Sequence, residues 1–587
     1  MSASLRTTRP PAAATVAWGA LAVMLLAALI FLRVYASNVP SWDDWDMVPT
    51  LTHNQPVTWD WLWSQHNEHR VPLPRLVFLG LNRVFGVDMR VTMYFDVLVM
   101  AALAAAMILA AARLRGRGGA ADAFFPLALL NVGQAANLLW GWQLQFFASV
   151  ALACVALIAI VRAGQSMHVR TAATVAGGCA LLLPLCGANG LGMVPALAAW
   201  PLALALLPEA WTGAPRARGD RVLLLLGGAA LVLTVVYFIG WEPVPYHPKS
   251  RSIEQTLKTA VQFATIGLGP ATRGPWPVSG LLTVAGFAAS AGLLARVWRE
   301  KPGERARAGG LLLFLAALGS LALGLGLGRD GFETRYVTLA VPAWCTAYFA
   351  WSLYGGRTAA LARGTLAVAA LGALWGNTTF GLGYARELRG ELGAFERDLA
   401  AGVPLHELLH RYGPWLHPHQ DVPGRYLPML ARARVGGYAA LREDSTMRAV
   451  PLELRPVEAT ELVWHDSTAR VAGPRPALLF RLPHDRYVAG LRLRYRYRSD
   501  DGTLPYIGLR WKRGGDSTFV PDRFYKYSPT GDRAHWERGT WDAVGDSATT
   551  MTVWISDTIG EVGITPDFRP ADFRIVELSL LVPGDEP

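Results

Sequence analysis

The sequence predicts a polytopic α-helical membrane domain of about eleven spanning helices, followed by a C-terminal antiparallel β-sandwich domain. Two observations support this prediction. Long apolar runs fill the first two thirds of a chain that is 52% hydrophobic and 17% charged, which excludes a single water-soluble globule. Beyond about residue 450, apolar and polar residues alternate, as they do in strands with one buried face.

Each apolar run is long enough for one spanning helix, because about 20 helical residues cross the hydrocarbon core. The predicted spans are 14–36, 91–112, 121–137, 144–163, 171–187, 189–208, 221–241, 277–298, 308–328, 337–355 and 362–381. A signal peptide is the alternative for the first run, but no small-residue cleavage pattern follows it, and we interpret it as a retained helix. All four cysteines lie inside these runs, which excludes a disulfide framework in the soluble segments.

Basic residues in alternate connections predict the orientation of the spans. Clusters such as those at 113–117 and 296–307 are expected on the cytoplasmic side, together with the N-terminus. An odd number of spans in a bacterial inner membrane then places the C-terminal domain in the periplasm. The formal charge of +11 fits these loop arginines, and we expect no nucleic-acid partner.

The composition predicts three regions. We expect a transmembrane domain over 1–383, a helical and loop-rich connector over 384–449, and a jelly-roll-like β-sandwich over 450–587. Long outer loops are expected near 37–90 and 241–276. Alternation is clearest over 491–498, where arginines alternate with leucine and tyrosine, and we interpret the arginines as a solvated strand face rather than as a site.

Three closely spaced carboxylates follow the first span, in the segment Ser41-Trp42-Asp43-Asp44-Trp45-Asp46. Neighbouring carboxylates repel one another unless a cation or an acceptor group is near. The cluster therefore favours general-base chemistry on a hydroxyl, or metal binding. A solvated loop that caps a helix is the structural alternative.

Further polar and aromatic groups predict a sugar pocket and a cationic rim. Later in the same loop, Gln65-His66-Asn67-Glu68-His69-Arg70 follows three tryptophans, and this spacing matches no standard zinc motif. Two later outer loops add candidates that would bind a lipid phosphate, or pair with lipid headgroups. The candidate binding residues are Trp42, Trp45, His66, Glu68, His69, Arg70, Tyr246, Lys249, Arg251, Arg335 and Tyr336.

Amides interrupt the third predicted span. Asn131, Gln134 and Asn137 would be costly facing lipid. They either line a wet cavity or form hydrogen bonds between helices.

The Trp42-Asp43-Asp44 signature after a first helix, the alternating spans and an outer Arg335-Tyr336 before a helix resemble the GT-C superfamily of glycosyltransferases. The resemblance covers about 14–381 and is similar to bacterial enzymes related to protein O-mannosyltransferases and aminoarabinose transferases. It implies a polyprenyl-phosphate-linked sugar as donor and Asp43 as the catalytic residue. Many relatives carry a second acid in the second outer loop, whereas 131–145 offers amides and tryptophans here, so no metal or other cofactor is favoured.

The mechanism expected from this resemblance is inverting transfer to a glycan, lipid or protein acceptor in the cell envelope. Asp43 would act as the base, with Asp44 or Asp46 orienting it or taking its place. Glu68, His69 and Arg70 would shape the sugar pocket, and arginines would stabilise the departing phosphate. The alternatives are a lipid-linked glycan polymerase or ligase, a transporter or flippase, and a non-catalytic glycan-binding envelope protein.

Overall fold

The computed structural model describes residues 12–213, 219–242, 250–329, 331–418, 420–444, 447–500, 507–519, 523–527 and 548–584. The chain separates into two compact units. The helical unit contains the residues up to Ala36, with Glu68–Glu242 and His247–Glu387, and the second unit contains Ser37–Asn67 and Leu388–Pro587. The three expected regions, with boundaries at 383 and 449, stay a prediction.

The helical unit consists of apolar helices and short connections. Its α-helices are Ala12–Tyr35, Pro72–Phe85, Arg90–Arg115, Phe124–Leu129, Ala135–Leu138, Leu144–Arg162, Val169–Leu182, Ala188–Leu191, Val194–Leu206, Pro208–Thr212, Arg221–Tyr237, Ile253–Thr265, Val278–Glu300, Arg305–Gly328, Val337–Tyr354 and Ala359–Ala400, the last of which extends into residues of the second unit. Among the described residues, seven helices are long and apolar enough to cross a membrane. They are Ala13–Tyr35, Arg90–Arg115, Gly141–Arg162, Val169–Cys186, Val278–Glu300, Pro302–Gly328 and Gly356–Ala400, counted with their 3₁₀ turns.

These helices confirm a helical membrane protein. Two shorter apolar helices, Val194–Leu206 and Arg221–Tyr237, match further predicted spans. The count of eleven spans is not confirmed.

The third predicted span, 121–137, is wrong as a continuous helix. The segment forms 3₁₀ turns at Ala120–Ala123 and Val132–Gln134, with short α-helices at Phe124–Leu129 and Ala135–Leu138. The Asn131 Nδ2 donates to the Ala128 carbonyl at 3.0 Å, and the Gln134 Nε2 donates to the Leu129 carbonyl at 3.2 Å. The side-chain amides thus occupy carbonyls that a continuous helix would use.

Two expected outer loops contain amphipathic helices. Pro72–Phe85 lies within 37–90 and Ile253–Thr265 lies within 241–276. The second begins at Ser252, whose hydroxyl accepts a hydrogen bond from the Gln255 N–H at 3.1 Å. Its buried face includes Ala260 and Phe263, whereas its polar face made it too hydrophilic to be predicted as a span.

The second unit combines short helices with an antiparallel sheet. Its α-helices include Val48–Leu51, Trp59–Trp63, Leu405–Leu416 and Asp421–Arg432. The last two lie within the segment 384–449, which was expected to be helical and loop-rich. The strands of the chain are β1 (Gln65–His66), β2 (His69–Arg70), β3 (Met447–Pro451), β4 (Glu458–Thr460), β5 (Leu462–His465), β6 (Thr468–Val471), β7 (Ala477–Ser499), β8 (Ile507–Lys512), β9 (Phe524–Tyr527), β10 (Thr549–Thr565) and β11 (Ala571–Pro583).

Nine of these strands form one sheet, in the order β5-β6-β11-β7-β10-β8-β9, with β3 added to β11 and β4 added to β7. The pairing of β7 with β10 shifts register between Trp554 and Asp557 and again between Ile559 and Glu561. Such irregularities bend long strands. One buried cluster contains side chains from both ends of β7 and β10. The antiparallel β-structure is confirmed, whereas the two layers of a sandwich stay a prediction because the nine described strands from β3 to β11 belong to one sheet.

Candidate active site

The acidic segment after the first helix folds as a 3₁₀ helix, Trp42–Met47, within the second unit. Asp44 is buried, and its Oδ2 accepts a hydrogen bond from the Ser41 N–H at 3.0 Å. This is the bond that an acid three residues into a helix forms with the capping residue. Asp44 therefore fixes the start of this turn, which is the structural role that the sequence left open.

Asp46 and Asp43 lie on either side of one imidazole. The His66 Nδ1 is 2.5 Å from the Asp46 Oδ2, and the His66 Nε2 is 3.5 Å from the Asp43 Oδ2. His66 and Asp46 are buried, with side-chain exposures of 1% and 6%, whereas the Asp43 side chain is 24% exposed. The chain of groups thus runs from a buried carboxylate through a buried imidazole to a carboxylate that solvent or a substrate can reach.

The two tryptophans of the acidic segment have different environments. Trp45 is fully buried, and its Nε1 donates to the Leu416 carbonyl at 3.0 Å. This geometry gives Trp45 a packing role rather than that of a sugar-stacking plate. Trp42 is 47% exposed and has a φ of 50°, so it presents an aromatic surface.

In the helical unit, Glu68 lies between Arg329 and His69. Its Oε1 accepts a short hydrogen bond from the Arg329 Nη2 and lies 3.6 Å from the His69 Nε2. The Ala188 N–H donates to the His69 Nδ1 at 3.2 Å, so in the neutral ring the hydrogen is on Nε2, facing Glu68. Gly187, with a φ of 107°, permits the turn that directs this amide.

Arg329 links this group to Tyr336. The Arg329 Nε donates to the Tyr336 hydroxyl at 3.1 Å, and the ring of Tyr336 packs against Phe146 and Phe263. Burial lowers the pKa of Arg329, and charge interactions with Tyr336 and Glu68 outweigh that effect, so the net shift of the pKa is upward. Arg329 is therefore a permanent cation, which fits the cationic rim expected at this outer loop.

Arg70 binds the end of a helix. Its Nε donates to the Tyr237 carbonyl at 2.9 Å and its Nη2 donates to the Ile239 carbonyl at 2.8 Å, while the Arg70 N–H donates to the Tyr237 hydroxyl at 2.9 Å. Burial lowers the pKa of Arg70, against a smaller upward effect of Tyr237. These contacts make Arg70 a structural cap for Arg221–Tyr237 rather than a ready phosphate ligand.

The remaining candidates are more scattered. The Arg335 Nε is 3.2 Å from the Glu333 Oε2, and its guanidinium lies 5.8 Å from the centre of the Tyr336 ring. Arg251 is exposed, and its N–H donates to the Gln255 Oε1 at 3.0 Å. Tyr246 and Lys249 lie outside the described residues.

The amides of the interrupted third segment form a buried network. The Asn137 Nδ2 donates to the Arg335 carbonyl at 2.6 Å and to the Thr338 Oγ1 at 2.7 Å, and the Thr338 hydroxyl donates to the Gln134 Oε1 at 2.6 Å. Of the two readings for these amides, the contacts favour hydrogen bonding between elements. The network fixes the backbone that precedes Tyr336.

The comparisons with known proteins leave the family open. No protein-family model matches the chain, and no curated protein matches it. Among solved structures, arabinosyltransferase EmbB from Mycobacterium smegmatis is similar at 12% identity and a TM-score of 0.26, with 99% of this chain and 66% of that chain covered. The GH115 4-O-methyl-α-glucuronidase BtGH115A is similar at 9% identity and a TM-score of 0.14, with 72% and 42% covered.

The chain thus spans slightly less than two thirds of the arabinosyltransferase. At these TM-scores, neither likeness supports an argument about fold or activity. A functional assignment must come from the residues described above.

Proposed function

We propose that the chain is a membrane glycosyltransferase that moves a sugar from a polyprenyl-phosphate donor to a glycan, lipid or protein acceptor on the periplasmic face of the inner membrane. The observation that carries this proposal is the partly exposed Asp43 carboxylate beside a buried imidazole that a second carboxylate holds. A helical unit with several membrane-length helices also suits a donor that is anchored in lipid.

The reaction assigned to Asp43 is general-base catalysis with inversion. As the acceptor hydroxyl attacks the anomeric carbon, its proton passes to the Asp43 carboxylate. The new carbon–oxygen bond forms while the bond from the anomeric carbon to phosphate breaks, and polyprenyl phosphate leaves with the electron pair. A single displacement of this kind inverts the anomeric configuration.

His66 and Asp46 position the base. The Asp46 carboxylate contacts the imidazole at Nδ1, and the Nε2 of the same ring lies 3.5 Å from the Asp43 Oδ2. We assign to the imidazole the orientation of the Asp43 carboxylate, whose side chain is 24% exposed. His66 thus changes from a sugar-binding candidate to a positioning residue.

The departing phosphate needs a cationic partner, since negative charge develops on its oxygens. Arg335 is the described candidate in the helical unit, because the donors of Arg70 already bind carbonyls and those of Arg329 bind Glu68, Tyr336 and Gly328. Glu68 and His69 form a paired acid and imidazole that can hydrogen-bond sugar hydroxyls. Sugar recognition by Glu68 and His69 stays a prediction from the sequence.

A complementation experiment tests the proposal. A strain that lacks the protein receives the wild type, Asp43→Asn or Asp60→Asn, the last being an exposed acid of the same loop. We expect the empty strain and the Asp43→Asn strain to accumulate one lipid-linked sugar and to lose one sugar from an envelope acceptor. The wild type and Asp60→Asn should restore both, because neither changes the base.

Two results would count against the proposal. Restoration by Asp43→Asn would remove the base assignment. Unchanged lipid-linked sugars and envelope glycans in the empty strain would contradict transfer itself, whereas altered glycan length with intact linkages would indicate the polymerase alternative.

A further inference from the structure

A row of arginines lies on the outer face of the C-terminal sheet. The alternation in β7 turns its leucine and tyrosine side chains into the core and leaves the arginines exposed. The register places Arg574 of β11 directly opposite Arg496 of β7. We call the following five exposed residues the arginine row: Arg492, Arg494, Arg496, Arg498 and Arg574.

Two acids of β11 lie opposite members of this row, Asp572 opposite Arg498 and Glu577 opposite Arg494, and each has another partner. Arg470, on the neighbouring strand β6, pairs with both Asp572 and Asp500. Glu577 lies opposite Arg494, and its Oε1 accepts a hydrogen bond from the Ser579 hydroxyl at 2.8 Å. Within the part of the chain that the structure describes, no member of the arginine row forms an ion pair.

The row is electrostatically unfavourable for the sheet by itself. Alternate residues of a strand lie about 6.8 Å apart on one face, and like charges directly opposite each other across strands destabilise a sheet. Arg496 and Arg574 form such a pair. Because packing gains nothing from this arrangement, a partner of opposite charge is its simplest explanation.

The shape and surroundings of the row indicate the kind of partner. Four arginines along β7 extend over about 20 Å, which suits a linear chain. Thr550 and Thr552 lie opposite Arg494 and Arg492 on β10 and can bond sugar hydroxyls. Stable docking to a membrane surface combines charge attraction with inserted apolar side chains, and these neighbours on β10 carry hydroxyls instead.

We propose that the arginine row binds an anionic polysaccharide, whose carboxylate or phosphate groups pair with the guanidinium groups. The choice of a glycan as the partner rests on the proposed function. The sheet would then bind a charged acceptor or product of the transfer. The same arginines are exposed, as the interpretation of a solvated strand face expected, and the proposal adds a ligand to that face.

The test measures binding by the full-length protein in detergent. Polygalacturonate is the anionic probe, dextran is the neutral one, and phosphatidylglycerol vesicles represent a membrane surface. The variant is Arg494→Ala with Arg496→Ala. The matched control is Arg432→Ala with Arg455→Ala, which removes two exposed arginines of the same unit outside the row.

We expect the wild type to bind polygalacturonate in low salt but not dextran, with weaker binding in high salt. The row variant should bind about tenfold more weakly or worse, since it loses two charge-assisted hydrogen bonds. The control should bind as the wild type does. The row variant should also melt no earlier than the wild type, because it relieves repulsion.

Three results would overturn the inference: no binding by the wild type, equal losses in the two double variants, or binding to vesicles but not to the polysaccharide. The assay contains no sugar donor, so its outcome is independent of transfer. Asp43→Asn should retain full polygalacturonate binding even where it loses transfer.

Discussion

At the level of the residue, the three carboxylates of the acidic segment have different structural roles, although the sequence does not distinguish them. Asp44 caps a turn, Asp46 holds an imidazole, and Asp43 keeps an exposed carboxylate next to that imidazole. The sequence predicts the cluster and its general-base chemistry but leaves open which residue is the base. His66 lies 20 residues or more from each acid, and this pairing has no local signal in the sequence.

Trp45 shows a second limit at this scale. Tryptophan next to carboxylates is typical of a sugar site, but also of a buried side chain with one hydrogen bond. The contact with the Leu416 carbonyl joins residues 371 positions apart. The residues around Trp45 in the sequence give no indication of this contact.

His66→Asn and Asp46→Asn test the positioning of the base. Each should lower kcat by about tenfold to a hundredfold with little change in KM, because the base stays present but is poorly oriented. Asp60→Asn is the matched control, and its kinetics should equal those of the wild type. A raised KM with normal kcat would instead place His66 in substrate binding.

At the level of the element, the hydrophobic pattern of the sequence correctly predicted a strand and a helix. The alternation at 491–498 appears as β7, with leucine and tyrosine in the core. The apolar run at 144–163 appears as the helix Leu144–Arg162. The segment 121–137 failed because Asn131 and Gln134 bind backbone carbonyls, a competition that hydropathy does not measure.

Arg70→Met should destabilise the helix Arg221–Tyr237. The substitution removes two charged hydrogen bonds to carbonyls at the helix end, each worth roughly 1.5–3 kcal/mol. We expect the melting temperature in detergent to fall by several degrees, whereas Arg83→Met, at an exposed position of Pro72–Phe85, should leave it unchanged. Equal melting temperatures for Arg70→Met and the wild type would show that the Arg70 cap does not stabilise the protein.

Glu561 predicts how the sheet responds to acid. It is buried between β7 and β8, with its Oε1 2.8 Å from the Arg481 Nε and its Oε2 2.6 Å from the Lys512 Nζ. Burial raises the pKa of Glu561, but the bonds to Lys512 and Arg481 lower it by more, so the net shift is downward from 4.5. Its contribution to stability is therefore present above pH 4.5 and lost as pH falls through the lower pKa of the folded state.

Urea unfolding of the full chain, followed by tryptophan fluorescence, measures this dependence. Glu561→Gln should be less stable than the wild type at neutral pH. The difference should shrink as the pH falls below 4.5. A difference that is constant with pH would show that the carboxylate charge does not contribute.

At the level of the whole molecule, the sequence predicted a helical membrane protein with a C-terminal antiparallel sheet, and the structure confirms both. The count of eleven spans was not confirmed, since seven helices of the described residues meet the length and hydropathy of a span. The residues Ser37–Asn67 cluster with the C-terminal residues as one unit. Contacts between residues that are distant in sequence decide to which unit this segment belongs. Apolar runs and turn signals in the sequence do not predict such contacts.

The central claim is that the Asp43 carboxylate removes the proton from an acceptor hydroxyl during sugar transfer. The most direct measurement is the transfer rate of purified wild type and Asp43→Asn with the lipid-linked sugar that accumulates in the strain lacking the protein. We expect Asp43→Asn to lose about a hundredfold to ten-thousandfold in rate, with an unchanged melting temperature. A normally folded Asp43→Asn protein that transfers the sugar at near the wild-type rate would contradict the account.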